Sequence, residues 1–172
     1  TISGYFDDPQ KAEDAIRPYV GRATIYATLN PIDQALVARA YNRLRERPKE
    51  TTADHDVTAR RWLPIDTDPR RPAGVSATEE ELAAALAVRD AIREHLSRQG
   101  WQPAIVADSG NGGHLLYRVD LPNDDPSRDL VQAVVTAIGE LFDTTDVKVD
   151  RSVFNAGRIW KVYGTVAGKG DS

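Results

Sequence analysis

The second half of the chain alternates between short strand-like stretches and longer stretches with helical spacing. Leu82, Ala85, Ile92 and Leu96 recur at the spacing that is typical of a helix with one buried face. From Trp62 onward, the pattern predicts strand, helix, strand, strand, helix, strand. The predicted strands are 62–68, 103–108, 113–119 and 147–150, and the helices begin at the apparent capping box Ser76 to Glu79 and at Asp125-Pro126.

The first part of the chain has weaker patterns. Asp8-Pro9 indicates the start of a helix that runs to about Val20, before Gly21. A strand is predicted from Arg22 to Leu29, a second helix from Asn30-Pro31, and a mobile polar loop from Glu46 to Thr58. A final short strand is expected over 158–163.

This order of elements predicts an α+β fold. The sequence from Trp62 to about Thr165 matches a split βαβ, or ferredoxin/RRM-like, βαββαβ unit. Both helices should then cover one face of an antiparallel sheet and leave the other face open. Residues 1–61 form an N-terminal α/β subregion, and 1–172 is predicted to be a single domain.

The alternation of side chains along the predicted strands gathers acidic residues on the open face. Leu63, Ile65, Leu115 and Val149 suit the face beneath the helices, because successive side chains of a strand point to opposite sides. The same alternation places a different set of residues on the open face: Asp66, Asp68, His114 and Asp150.

Three carboxylates on one surface indicate a divalent metal, which would relieve their mutual repulsion. Two Mg²⁺ or Mn²⁺ ions held in this way can assist phosphoryl displacement. Simpler interpretations stay open. An Asp-x-Asp occurs by chance in an acidic chain, Asp150 alone is a strand-end carboxylate, and His114 alone is more often a partly buried structural residue.

Two further segments supply candidate phosphate contacts. The glycine-rich run 110–113 could cradle a phosphate, although a tight hairpin turn explains every glycine in it and is the favoured interpretation. Arg158 and Lys161 could neutralise a triphosphate, or they could be solvated charges of an ordinary strand. The two lie on opposite faces of an ideal strand, so one of them needs a twist or a bulge to reach the site.

Composition narrows the classes of site and location. The 172 residues include no cysteine, which excludes disulfides, thiolate zinc sites and a cysteine nucleophile. The net charge of -4 argues against a broad basic DNA-binding surface, although Arg43, Arg45, Arg47 and Lys49 form a local basic run. No apolar run is long enough to cross a bilayer, so a cytoplasmic location is expected. The absence of methionine suggests a fragment of a longer protein.

The motifs together resemble the archaeo-eukaryotic primase superfamily, specifically the primase-polymerase domains of bacterial, phage and plasmid proteins. Leu63 to Asp68 is similar to that family's hydrophobic strand ending in Asp-x-Asp. Ser109 to His114 is similar to its Ser-to-His motif, and Val149-Asp150 to its hydrophobic-Asp motif. Asn155 to Arg158, continuing to Thr165, resembles the segment that follows. Lys161 departs from the second arginine found there in many relatives.

The resemblance implies a primase or DNA-directed polymerase that joins nucleoside triphosphates on single-stranded DNA with two divalent ions. It implies that Asp66, Asp68 and Asp150 hold the metals. It also implies a set of nucleotide-binding residues: Ser109, Gly110, His114, Arg158 and Lys161. The N-terminal subregion would form one side of the cleft, with 46–58 as a candidate template contact. A primer strand and a fused C-terminal helical accessory or helicase domain are further implied partners.

Three other functions fit parts of the pattern. A nucleotide-sugar transferase also uses Asp-x-Asp, but it normally has a larger, mostly parallel sheet. A rolling-circle nickase would need a His-x-His pair, which the chain lacks. A non-catalytic RRM-like module would present aromatic residues for base stacking, whereas the predicted open face here is acidic.

Overall fold

A computed structural model describes residues 1–72 and 74–168 of the chain. The fold is mixed α+β, as predicted, and every paired strand in its sheets is antiparallel to its neighbour. The α-helices are α1 (Pro9–Ile16), α2 (Glu79–Arg98) and α3 (Asp125–Phe142). The strands are β1 (Ile2–Tyr5), β2 (Tyr26–Thr28), β3 (Arg43–Glu46), β4 (Ala59–Pro69), β5 (Ile105–Asp108), β6 (Gly113–Pro122), β7 (Val147–Val149) and β8 (Ile159–Lys161).

The main sheet has four strands in the order β5-β6-β4-β7. Its long central pair, β4 and β6, places Asp66 opposite His114 and Ile65 opposite Leu115. Helix α2 packs on one face of this pair, where the buried Thr67 hydroxyl donates to the Ala85 carbonyl oxygen at 3.0 Å. The main core is therefore the apolar layer between the sheet and the two long helices: Leu63, Ile65, Leu115, Tyr117, Ile92, Leu96, Val131, Val135 and Ile138.

Local capping explains where the long helices begin. The Thr78 hydroxyl accepts a hydrogen bond from the Glu81 backbone, and the Glu81 carboxylate accepts one from the Thr78 backbone. This capping box lies two residues after the predicted Ser76 to Glu79. Asp124 caps α3, close to the predicted start at Asp125-Pro126.

The N-terminal subregion differs most from the prediction. The helix expected from Asn30-Pro31 is a 3₁₀ helix, Gln34–Arg39, and the chain then continues as β3. Asn42 has φ 47, a left-handed conformation that ends the helical turn before β3 pairs with β1. Strand β1 was not predicted, and the polar stretch after Glu46 contains a 3₁₀ turn (Asp54–Asp56) rather than only loop.

The second face of the main sheet is partly covered, contrary to the expectation of an open face. Strands β2 and β8 form a separate two-stranded sheet, with Ala27 paired to Trp160. Trp160 is only 7% exposed and its ring lies 4.3 Å from that of His114, centroid to centroid. The C-terminal segment therefore covers the part of the predicted open face around His114, and the candidate site lies beside it at the ends of β4 and β7. Across residues 1–72 and 74–168, no helix has the length and apolar character needed to span a membrane.

Candidate active site

The sheet register brings Asp66, His114 and Asp150 into one row. Asp66 pairs with His114 across β4 and β6. On the other side, the Asp150 backbone N–H donates to the Asp66 carbonyl oxygen at 2.8 Å, which continues the β4–β7 pairing. These three residues, predicted from separate motifs, are therefore neighbours across three strands.

Asp68 lies in the next row, two residues along β4. Its cross-strand partner on β7 is Lys148. Gly112 lies close on the other side, and a Cβ at that position would come within 3.0 Å of Asp68 Oδ1 and 2.3 Å of the Thr67 carbonyl oxygen. Asp68 thus sits between a cation and a tightly packed turn, on the same face as Asp66.

His114 is held by a small aromatic network. Its Nδ1 lies 3.2 Å from the Tyr163 hydroxyl, and Trp160 Nε1 donates to the same hydroxyl oxygen at 2.7 Å. Because that oxygen accepts from Trp160, its own proton is available for His114 Nδ1. In the neutral imidazole, Nε2 then carries the proton and faces Asp66, whose Oδ1 lies 3.4 Å away.

The environment of Tyr163 supports this arrangement. Burial raises the pKa of the Tyr163 hydroxyl, the hydrogen bond from Trp160 lowers it, and the nearby Asp66 charge raises it. Because burial is the largest of these effects, the hydroxyl remains protonated at neutral pH and can donate to His114.

The carboxylate of Asp66 has an acceptor that the protein leaves unsatisfied. Asp66 Oδ1 is buried, and no hydrogen bond reaches it from the residues that the structure describes; the nearby His114 Nε2 lies within ion-pair distance but not in hydrogen-bond geometry. A cation would satisfy such an oxygen. Among residues 1–72 and 74–168, however, no three His, Cys, Asp or Glu side chains are gathered as a ready metal site. Asp150 Oδ1 instead accepts from the Ser152 backbone N–H at 2.8 Å.

Ser109 and Gly110 belong to the β5–β6 turn. The Ser109 hydroxyl donates to the Gly112 carbonyl oxygen at 3.2 Å and accepts from the Asn111 N–H at 3.3 Å. Gly110 has φ +85, where a side chain would be strained. Both residues therefore stabilise the hairpin turn that the Asn111-Gly112 pair predicted.

Asn111 has a structural part that sequence reasoning missed. Its side chain is buried, and its Oδ1 accepts from the Ala77 N–H at 2.9 Å and from Arg71 Nη2 at 3.2 Å. Asn111 therefore ties the turn to the segment between β4 and α2. The Asn-Gly pair gave a turn signal only, and nothing in the sequence indicated this long-range contact.

Arg158 and Lys161 are not brought to the carboxylate rows. The Arg158 guanidinium donates to the Ser152 carbonyl oxygen, in the turn that follows Asp150. The Lys161 ammonium donates to the Thr165 carbonyl oxygen. Arg158 is thus one turn away from Asp150, whereas Lys161 is engaged within the C-terminal segment.

A different set of cations lies beside Asp68. Arg70, Arg71, Pro72 and Lys148 line a cavity of about 390 Å³. Arg70 Nε donates to the Thr144 carbonyl oxygen at 3.1 Å, and Arg71 Nε to the Val75 carbonyl oxygen at 2.9 Å. Backbone acceptors thereby fix both guanidinium groups, and the Asp143 carboxylate lies 3.6 Å from Arg70. These three cations were not among the residues predicted for the site, although the adjacent arginines after Asp68 and the outward-facing Lys148 could have indicated the cavity.

Comparison with known proteins gives no match. No protein-family model, no curated protein and no solved structure matches the chain. Its function must therefore be inferred from the geometry of the site.

Proposed function

We propose that the protein is a template-directed nucleotidyltransferase of the primase-polymerase type. One observation supports this above all. Asp66, Asp68 and Asp150 occupy adjacent rows on one face of the β4–β7 pair, next to a cavity lined by three cations. The carboxylates suit divalent metal ions and the neighbouring cations suit phosphates, so the arrangement fits a nucleoside triphosphate with its bound metal ions.

The arrangement of the main sheet is consistent with the proposal. We interpret residues 59–149 as a ferredoxin-like unit, because the element order is strand, helix, strand, strand, helix, strand and the strand order is β5-β6-β4-β7. Residues 1–58 would form one side of the cleft, since the Asn30 side chain donates to the Ala156 carbonyl oxygen and accepts from the Arg61 N–H.

Asp66, Asp68 and Asp150 would hold two Mg²⁺ or Mn²⁺ ions. The unsatisfied Asp66 Oδ1 fits this role, because a buried carboxylate oxygen without a hydrogen bond is suited to a cation. When bound, such ions supply charge neutralisation at the attacking and leaving oxygens of phosphoryl transfer.

The protein's own side chains would position the substrate. We assign the phosphates of the nucleoside triphosphate to Arg70, Arg71 and Lys148, because arginine pairs and lysine bind phosphate oxygens well. His114, held by the Tyr163 hydroxyl, keeps its Nε2 3.4 Å from Asp66 Oδ1 and forms part of the polar surroundings of that carboxylate. Phosphate contacts by Ser109, Gly110, Arg158 and Lys161 stay predictions that require these residues to leave their present partners.

Single-stranded DNA template and primer are the proposed macromolecular partners, and a C-terminal accessory or helicase domain is a proposed neighbour. A non-catalytic RRM-like module is the alternative. It would stack bases on aromatic residues of the sheet, but Trp160 is buried and Tyr163 is hydrogen-bonded to His114 and Trp160. The acidic rows and the buried aromatic residues both favour the enzyme.

A primer-extension assay tests the proposal. The protein is incubated with single-stranded DNA, labelled nucleoside triphosphates and Mg²⁺ or Mn²⁺, with and without a primer. An Asp66→Asn, Asp68→Asn double variant is compared with an Asp14→Asn, Asp129→Asn variant, which changes the net charge equally at exposed helical positions. Metal-dependent products from wild type and the exposed-position control, but not from the Asp66, Asp68 variant, would support the proposal. DNA binding without products under either metal would favour the binding module.

A further inference from the structure

A second cavity lies on the helix-covered side of the main sheet, away from the carboxylate rows. Its volume is about 640 Å³, within the range of small-molecule sites. It lies between the C-terminal half of α2, the segment that follows it, and the edge formed by β5 and β6. The residues that carry the argument are Arg93, Glu94, Arg98, Trp101, Val106 and Tyr117.

Tyr117 gives this cavity an unsatisfied polar group. The side chain is only 3% exposed, and its hydroxyl has no hydrogen-bond partner within residues 1–72 and 74–168. Burial raises the pKa of the hydroxyl, and the nearby Arg93 charge lowers it by less, so the group stays a donor at neutral pH. A buried donor of this kind destabilises the free protein unless a ligand or water accepts its hydrogen bond.

The remaining lining defines what could accept that bond. Arg93 and Arg98 supply two guanidinium groups, whereas Glu94 is the one carboxylate of the lining; Asp90, outside the lining, lies 3.8 Å from Arg93 and offsets part of its charge. Arg98 Nε makes a 3.4 Å contact with the Glu94 backbone carbonyl. Together with the Tyr117 hydroxyl, the cavity therefore presents mainly donors, which favours an anionic acceptor such as a carboxylate or a phosphate.

An aromatic wall stands beside these donors. The Trp101 ring packs edge-to-face against Tyr117, with centroids 5.2 Å apart and an interplanar angle of 80°. Val106 adds an exposed apolar side chain at the same cavity. A flat apolar body would pack against this wall while its acidic group reached the donors.

We propose that this cavity binds a small planar anion, an aromatic ring system that carries a carboxylate or a phosphate. Trp101 and Val106 contact the ring system, and Tyr117, Arg93 and Arg98 bind the acidic group. The site is distinct from the proposed catalytic face, because Tyr117 pairs with Leu63 on the helix-covered side whereas Asp66 pairs with His114 on the other. It does not depend on the nucleotidyltransferase proposal.

Fluorescence titration of Trp101, one of three tryptophans, tests the proposal with four probes: adenosine monophosphate, adenosine, benzoate and inorganic phosphate. A Trp101→Phe variant assigns the signal to the cavity. Saturable binding is expected for adenosine monophosphate, benzoate or both, which distinguishes a phosphate from a carboxylate ligand. Adenosine and inorganic phosphate are expected to bind at least about tenfold more weakly, because adenosine lacks the acidic group and inorganic phosphate lacks the ring system.

Tyr117→Phe separates binding from folding. Affinity is expected to fall about fivefold or more, in line with a lost hydrogen bond to a charged acceptor. The free energy of unfolding of the empty protein should be equal or higher, because the hydroxyl has no protein partner to lose. Tyr41→Phe, at a tyrosine that is 59% exposed, is the matched control and should change neither quantity. Failure of both anions to bind, equal binding of adenosine, or unchanged affinity in Tyr117→Phe would each overturn the proposal.

Discussion

Asp66 is the residue at which packing and proposed chemistry conflict. Its Oδ1 is buried without a hydrogen bond from the described residues, and Asp150 follows in the same row of the sheet. A buried acceptor without a hydrogen bond costs free energy in the folded protein when no cation is bound. Proteins retain such costs where function needs them, so Asp66 is the position at which loss of activity and gain of stability should coincide.

Asp66→Asn is expected to lower the rate of nucleotidyl transfer about a hundredfold or more. The free energy of unfolding measured without metal should stay equal or rise. The amide keeps the shape of the side chain but removes the charge that would hold a divalent ion. Activity is measured by primer extension and stability by urea denaturation. Asp129→Asn, at an exposed position of α3, serves as the control. A variant that lost activity only because it lost stability would contradict this assignment.

Lys148→Gln is expected to raise the KM for nucleoside triphosphates about five- to tenfold with a smaller change in kcat. The exposed ammonium lines the cationic cavity and is the cross-strand partner of Asp68, so its loss weakens phosphate binding with little effect on packing. Lys11→Gln, at an exposed lysine of α1, should leave KM unchanged. Steady-state kinetics over a range of nucleotide concentrations provides both values, and an unchanged KM in Lys148→Gln would remove this cavity from the nucleotide site.

At the scale of elements, the sequence best predicted the helices that depend on residues close together in the chain. Helix α2 and helix α3 have long apolar stripes and clear caps, and both occur close to where the periodicity placed them. The helix expected after Asn30-Pro31 rested on a weaker pattern, and the chain from Arg43 forms β3, for which β1 is available as a partner. Periodicity carries no information about such a distant partner, so the N-terminal pairing could not be predicted.

The β5–β6 turn also combines a feature that the local sequence predicts with a long-range contact that it does not predict. The Asn111-Gly112 pair correctly predicted a hairpin, but the left-handed residue is Gly110. Gly112 is needed for a different reason, the close approach of its backbone to β4. The turn therefore fixes both the hairpin and the position of Asp68 on the neighbouring strand.

Gly112→Ala is expected to destabilise the protein by about 1–3 kcal/mol, because the added Cβ would come within 2.3 Å of the Thr67 carbonyl oxygen and force the turn away from β4. Chemical denaturation measures the change. Gly168→Ala is the control, since the nearest atom to a Cβ there lies at 3.4 Å, an ordinary contact distance. Equal stability of the two variants would show that the turn can move without cost.

At the scale of the whole molecule, the candidate site depends on contacts between distant parts of the chain. The predicted alternation correctly placed Asp66, Asp68, His114 and Asp150 on one face, because the strands that carry them have regular pleats. It did not predict that β8 would pair with β2 and bring Trp160 and Tyr163 over that face. The burial of His114 and of the Tyr163 hydroxyl follows from this long-range pairing, which no local pattern of the sequence records.

Alkaline pH should expose the contribution of two tyrosine hydroxyls, one on each side of the main sheet: that of the buried Tyr117 and that of the partly buried Tyr163. Burial raises the pKa of both Tyr117 and Tyr163 above the ordinary value near 10. The unfolded chain therefore loses these protons at a lower pH than the folded protein, so the stability that the two hydroxyls contribute is constant well below about pH 10 and decreases as the pH rises through that value and above it. A Tyr117→Phe, Tyr163→Phe variant should show a flatter decrease between about pH 9.5 and 11 in urea denaturation. Lysine ionisation affects both proteins equally, and the exposed-site variant Tyr41→Phe should follow wild type.

Parallel curves for wild type and the double variant would show that the two hydroxyls ionise as easily in the folded protein as in the unfolded chain, and would contradict their burial.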